Sequence, residues 1–272
     1  MKTVSIIIPF FNASNTILST LSSVKRQTYS QFECILIDDG STDDSIHIVR
    51  EYVSNDKRFK LFKQDKQGVV AARNFGIKQS SYQYIAFLDA DDIWDLNFLM
   101  ESLNFRKAYD KPIAITHAAY FRFRIKDKKI NSFLVTPPSV INHRNILKKN
   151  FIPLLTVLID RSLIKELYFE NQRPEDYRLW IKLIYINKFE SFSLNKALGF
   201  YRISENQRSK NKFSNLKRIF KVFSELPNTN FFKKYLNTFN WIIYNSLQRI
   251  FSKKNKNKEK LEFLSSILFH YE

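Results

Sequence analysis

The sequence predicts a doubly wound α/β fold with a mostly parallel sheet. Three features predict it. Apolar, β-branched runs alternate with amphipathic helical patterns four times within about a hundred residues. The first run, Val4 to Asn12, is almost unbroken in its hydrophobicity, as expected of a central parallel strand buried on both faces. The second and fourth runs end in acids, where open α/β sheets bind their ligands.

The elements follow in order. After the first strand, Asn12 or Ser14 can cap a helix reaching about Lys25, with Ile17, Leu18, Leu21 and Val24 on one face. Glu33 to Ile37 is the second strand, and it runs into Asp38-Asp39-Gly40-Ser41-Thr42-Asp43. Gly40 permits a tight turn there, and Ser41 or Thr42 can cap a helix through about Tyr52. Phe59 to Phe62 is a short third strand, and Gly68 to Lys78 is a helix with Val69, Ala72 and Ile77 inward. Tyr84 to Leu88 is the fourth strand, followed by Asp89-Ala90-Asp91-Asp92. Beyond it, the pattern predicts a helix over 96–109, strands over 113–125 and 131–135, and a short helix over 142–150. A strand over 156–160, a helix over 161–167, a helix after Pro174 and a last strand over 197–203 complete the unit.

Composition narrows the function. With 272 residues, the chain can hold one large domain or one domain with an appendage, and 44% hydrophobic residues suffice for a real core. No apolar run is long enough to span a bilayer, and the first residues lack a secretory signal pattern, so a cytoplasmic setting is expected. A single cysteine, Cys34, excludes an internal disulfide and a cysteine-ligated metal cluster, and the four histidines show no ligand spacing. The four glycines form neither a dinucleotide-binding nor a P-loop motif, which excludes dehydrogenases and P-loop enzymes. A bound diphosphate would therefore need a metal, and the acids at 89–92 have the hard oxygen chemistry to hold one. The formal net charge is +18, half of it after residue 204, which predicts attraction to a polyanion.

Five segments then resemble family 2 glycosyltransferases: 5–12, 23–29, 38–43, 68–74 and 87–92. Each is weak alone, but the order and spacing together are specific. The resemblance implies a GT-A fold, with residues 1–209 as catalytic domain (1–92 nucleotide-binding, 93–209 acceptor-side) and 210–272 as a basic helical extension. It implies a UDP-sugar donor held by Pro9, Phe11, Asp39, Arg73, Asp89 and Ala90, with Asp91 as the main ligand of Mn²⁺ or Mg²⁺. Phe11 either packs on the base or joins the core. Asp39 either accepts the uracil N3–H or makes an Asx turn, and the resemblance favours the first. Arg73 either pairs with phosphate or an acid such as Asp89, or is an exposed helix cation. Asp92 is read as a cap for the next helix.

Arg173-Pro174-Glu175-Asp176-Tyr177 fits the start of a helix, where proline and acids are favoured. It also resembles the Glu-Asp motif of the family. Glycosyl transfer with inversion needs a carboxylate to take the acceptor proton. Asp176 is the expected base, with Glu175 as alternative or support. Further on, Ser204 stands where relatives often carry histidine, which leaves a third protein ligand to the metal open; Arg202 or Arg208 can reach phosphate. The tail beyond Lys210 is helical, with apolar faces at Phe213, Leu216, Ile219, Phe220 and Phe223, and at Trp241, Ile242, Tyr244, Leu247, Ile250 and Phe251. Those helices either pack on the core or dock on an anionic membrane face carrying a lipid diphosphate acceptor.

The expected function is an inverting glycosyltransferase of bacterial surface polysaccharide synthesis, peripheral to the inner face of the membrane, with no nucleic acid partner. Two alternatives remain at this level. A sugar-phosphate nucleotidyltransferase usually has a glycine-rich N-terminal loop, which is missing here. A basic module binding membrane or nucleic acid would explain the charge but not the acids at strand ends.

Overall fold

The computed structural model describes residues 4–127, 129–204, 212–227, 231–250, 253–254 and 258–269. The chain begins β1 (Val4–Phe10), α1 (Ile17–Lys25), β2 (Phe32–Asp38), α2 (Ser45–Val53), β3 (Phe59–Lys63), α3 (Val69–Gln79), β4 (Tyr84–Phe87). These four strands are parallel in the order β3-β2-β1-β4. Alternate side chains of a strand point to opposite faces, and both faces of β1 are covered. Ile6, Ile8 and Phe10 join Leu21, Val24 and Val49 in one core, while Ile7 joins Ile35, Ile37, Ala72 and Phe87 in the other. Two cores on one strand explain why its sequence does not alternate. The order reverses between β1 and β4, so their C-terminal ends diverge and open a crevice.

The second half is β5 (Ile93–Trp94), α4 (Phe98–Lys107), β6 (Ile115–Lys126), β7 (Lys129–Val135), β8 (Val140–Ile141), β9 (Leu158–Asp160), α5 (Glu175–Trp180) and β10 (Ser191–Arg202). β9 lies between β4 and β6, antiparallel to both, and β10 runs parallel to β6. α5 continues directly as a π-helical stretch, Ile181–Ile186.

Several local expectations are corrected. Neither Asn12 nor Ser14 caps α1: Asn12 sits at φ 48°, and its side chain accepts from Thr42 N at 2.8 Å, bracing two strand-end loops together. Ser41 and Thr42 likewise serve that brace and do not cap α2. The helix expected over 142–150 is a 3₁₀ turn, Ile146–Lys148, because Asn142 and Asn145 bond within the loop. The helix expected over 161–167 stops at Leu163; the Asp160 carboxylate takes the Ser162 N–H and hydroxyl and fixes a turn. Asp92 caps nothing. The helix after it begins only at Phe98, and Asp95 accepts from Asn97 N instead.

The chain ends with α6 (Lys212–Ser224), α7 (Phe231–Ile250), β11 (Lys253–Lys254) and α8 (Lys258–Leu268). α6 buries Ile219, Val222 and Phe223 beside Tyr177 and Trp180. α8 buries Leu264 and Ile267 against Phe121, Phe123 and Phe200, and Lys260 pairs with Asp95. α7 differs: Trp241 packs toward the core, but Tyr235, Leu236, Phe239, Ile242 and Ile243 are exposed. Phe213, Tyr244, Leu247, Ile250 and Phe251, and the 209/210 division, lie outside the described side chains or residues. Among the described residues, no helix is long and apolar enough to cross a membrane.

The loops at the crevice mouth hang on Asp43, whose carboxylate accepts from Ser45 N, Ser45 Oγ and Ser14 N. Desolvation opposes its charge, yet the Ser45 and Ser14 donors outweigh it and draw its pKa down to about 2. A depressed carboxylate stabilises the fold above its unfolded pKa and loses that contribution as pH falls through its folded pKa. Asp43→Ala should therefore cost about 1 kcal/mol at pH 7. In urea titrations, the gap to wild type should narrow as pH drops from about 4 toward 2; a gap independent of pH would refute this.

Candidate active site

The crevice between the ends of β1 and β4 holds a cavity of about 570 Å³ lined by Pro9, Phe11, Asp39, Arg73, Asp89, Ala90, Asp91 and Glu175, among others. Every residue assigned to nucleotide-sugar or metal binding from sequence is thus in one place. Phe11 is half-buried at the rim and outside the core clusters; Lys66 Nζ sits 3.9 Å from its ring centroid. Asp39, at the end of β2, is buried. Its Oδ1 accepts from Gln64 Nε2 and Gln67 N, both at 2.8 Å, and its Oδ2 accepts from Gly68 N at 2.9 Å. That fastens the 64–68 loop, where Gly68 takes φ 94° and Gly40 takes φ 76°, conformations that favour glycine. The Asx turn at Gly40 is made by Asp38, whose Oδ1 accepts from Ser41 N at 2.9 Å.

Arg73 is buried and forms the centre of the site. Its Nη2 donates to Asp89 Oδ1 at 2.6 Å and its Nη1 to Glu175 Oε1 at 3.3 Å. One guanidinium from α3 therefore joins the acids after β4 to the first turn of α5. Desolvation works against its charge, but Asp89, Glu175 and Asp176 hold its pKa above the ordinary value.

The acid cluster is divided by burial. Asp92 is buried, and desolvation, then Asp91 and Asp89, push its pKa well up. Its Oδ1 accepts from Arg202 N at 3.0 Å, while Arg202 Nε donates to the Asp91 carbonyl at 3.0 Å. Arg202 and Ser204 line the same cavity as Asp39 and Asp91, and Arg208 lies outside the described residues. Among the described residues, no three acid, histidine or cysteine side chains gather into a metal cage. Asp89 and Asp91 nevertheless border the same open cavity, and Asp89 has only Oδ1 engaged by Arg73. Two carboxylates beside open space fit a hard divalent cation that completes its shell with phosphate oxygens and water.

Asp176 faces a second, adjoining cavity of about 420 Å³ that shares Arg73, Asp89, Glu175 and Tyr201 with the first. Its Oδ2 accepts from Asn150 Nδ2 at 2.8 Å and its Oδ1 from Tyr177 N at 2.7 Å. Desolvation raises its pKa, and the Glu175 charge raises it further, against the donors and Arg73. A carboxylate so raised is a stronger base in its ionised form. Glu175, by contrast, is engaged with Arg73. Sequence reasoning missed Asn150 and Lys66 because each belongs to a loop without periodicity. His117 is only structural: buried between Ser191 Oγ and the Pro138 carbonyl, its pKa falls to about 4 through desolvation.

The family model for "Glycosyl transferase family 2" matches residues 5–165, more than half of the chain. This protein belongs to glycosyltransferase family 2. A relative in Escherichia coli, the UDP-Glc:alpha-D-GlcNAc-diphosphoundecaprenol beta-1,3-glucosyltransferase WfgD, is 33% identical over 256 residues, 94% of this chain and 98% of that protein. Among solved structures, S. aureus TarS 1-349 in complex with UDP-GlcNAc superposes with a TM-score of 0.66 at 20% identity, over 90% of this glycosyltransferase and 72% of that chain. The mannosyltransferase PcManGT from Pyrobaculum calidifontis, in complex with GDP-Man and Mn²⁺, gives a TM-score of 0.63 at 14% identity, over 89% and 73%. The fold is GT-A, as the resemblance implied, and family membership decides against the nucleotidyltransferase and the non-enzymatic module.

The Asn150 bond stabilises the ionised form of Asp176. Asn150→Ala in this glycosyltransferase should raise the Asp176 pKa further and move the acidic limb of the kcat–pH profile to higher pH. UDP release followed across pH checks this; an unmoved limb would separate Asn150 from Asp176.

Proposed function

We propose that this enzyme transfers a sugar, with inversion, from a UDP-sugar to a hydroxyl of a glycan carried on a lipid diphosphate, in bacterial surface polysaccharide synthesis. The observation that carries the reading is the Arg73 bridge, which sets Asp176 beside the cavity that Asp39, Asp89 and Asp91 line. The names of WfgD and TarS support a UDP-sugar donor, and that of WfgD supports a lipid diphosphate acceptor.

In this reading Phe11 packs on uracil and Pro9 shapes the pocket floor. Asp39 Oδ2, with capacity beyond the Gly68 N–H, accepts the N3–H. Asp89 and Ala90 border the ribose and diphosphate. Asp91, with Asp89, holds a divalent ion, Mn²⁺ or Mg²⁺, which when bound supplies Lewis-acid stabilisation of the leaving diphosphate. Arg73 keeps Asp89 and Glu175 in register. Asp176 takes the proton from the acceptor hydroxyl, which attacks the anomeric carbon from the side opposite UDP. Glu175 supports Asp176 and raises its basicity.

Asp91→Asn should abolish metal-dependent thermal stabilisation by UDP together with transfer. Asp176→Asn should abolish transfer and retain that stabilisation. A screen of UDP-, GDP- and dTDP-sugars for donor hydrolysis identifies the nucleotide. Normal turnover in either variant would defeat the assignment.

The partner surface is read from α7. Tyr235, Leu236, Phe239, Ile242 and Ile243 recur at one-helix-face spacing, and Phe239 is 60% exposed. An apolar face on a chain of net charge +18 suits an anionic bilayer, and in this reading the enzyme docks on the cytoplasmic leaflet beside its acceptor. In flotation assays, the protein should rise with phosphatidylglycerol-containing vesicles and not with phosphatidylcholine alone, and Phe239→Asp should stay in the soluble fraction. Equal recovery in the soluble fraction with both vesicles would refute the docking.

A further inference from the structure

The second cavity carries more positive charge than a neutral acceptor needs. Arg122 of β6, Arg173 just before α5 and Arg218 of α6 line it together with Asp176. None of these arginines has a carboxylate partner among the described residues, whereas Arg73 and Arg178 are each paired with two. The acids that share the cavity do not answer them. Asp89 and Glu175 are bound by Arg73, Asp92 is buried and takes the Arg202 N–H, and Asp176 takes Asn150 Nδ2 and Tyr177 N. Three guanidinium groups from three separate elements thus border one hollow without an ion pair to a carboxylate among the described residues, and like charges so gathered repel. Arg122 and Arg173 are exposed and Arg218 is half-buried, so all three can meet a ligand entering from solvent.

We propose that Arg122, Arg173 and Arg218 form the binding site for the diphosphate of the acceptor, on the reading of the function given above. Guanidinium forks match phosphate oxygens bidentately, which a neutral sugar cannot exploit. The donor diphosphate is not the ligand of this cluster. Those three residues are absent from the first cavity, where Lys66, Arg73 and Arg202 supply the cations. Because Asp176 and the arginines line the same hollow, the accepting sugar lies close to the lipid diphosphate. The enzyme therefore extends short lipid-linked glycans rather than long polymers, and it measures the acceptor from the phosphate end.

The test compares two probes bearing the same sugar: α-GlcNAc on an alkyl diphosphate, and neutral alkyl α-GlcNAc. Affinities are measured by calorimetry in the presence of saturating UDP and Mn²⁺, so that the donor cavity is filled and its own cations cannot take the probe. Wild type should prefer the diphosphate, and Arg122→Gln, Arg173→Gln and Arg218→Gln should each reduce that preference roughly tenfold. Binding of the neutral probe should stay unchanged, and thermal stabilisation by UDP should show that each variant is folded. Equal affinity of wild type for both probes, or loss of both in every folded variant, would overturn the site. So would equal binding of an alkyl glucuronide, which would make the cluster a carboxylate site. Absence of UDP stabilisation in wild type would instead defeat the donor reading, which keeps the two failures apart.

Discussion

A buried guanidinium shared by two carboxylates is the constraint on which the site depends. Arg73 takes its position from α3, whose neighbours Val70 and Ala72 pack into the core under the sheet. It donates outward to acids from distant parts of the chain, Asp89 and Glu175. An uncompensated buried charge is costly, so folding α3 against β1 and β2 selects the arrangement in which both acid motifs meet. The first four strands and the first turn of α5 are joined through this ion triad at the point where the two cavities adjoin.

Charge management then differentiates acids that look alike in sequence. Asp89, Asp91 and Asp92 are consecutive apart from Ala90. One is tied to arginine, one borders the open cavity, and one is buried with its carboxyl pushed toward the neutral form. Asp92 thereby becomes a structural tie to the end of β10 through the Arg202 N–H. The same logic separates Glu175, engaged by Arg73, from Asp176, which is held by Asn150 and its own helix start.

The sequence was most legible where physical demands act locally. β1, β2 and β4 announce themselves because burial on both faces requires continuous apolar residues, and the acids at their ends stand out against that background. Cys34 joins the core, as its apolar strand pattern implies. The stretch from 93 to 170 was less legible, because its turns depend on side chains such as Asp160 and Asn145 that bond their own backbone. Arg122, Asn150 and Arg218 were invisible for another reason. They converge only through tertiary packing, and nothing in their local sequence distinguishes them from other basic or polar residues. The apolar stripe at 235–243 was partly read, but on a different helix face, since Trp241 packs inward.

The bonding of Asp39 has a consequence for how this family can diversify. The carboxylate that faces the donor cavity is also the anchor of the backbone from Gln64 to Gly68, including the Lys66 that sits over Phe11. On the proposed function, nucleobase choice and the shape of the rim are thus encoded by one side chain. A lineage that changes nucleobase must replace the whole 64–68 segment in concert with position 39, so donor switching should proceed by loop exchange rather than by point substitution.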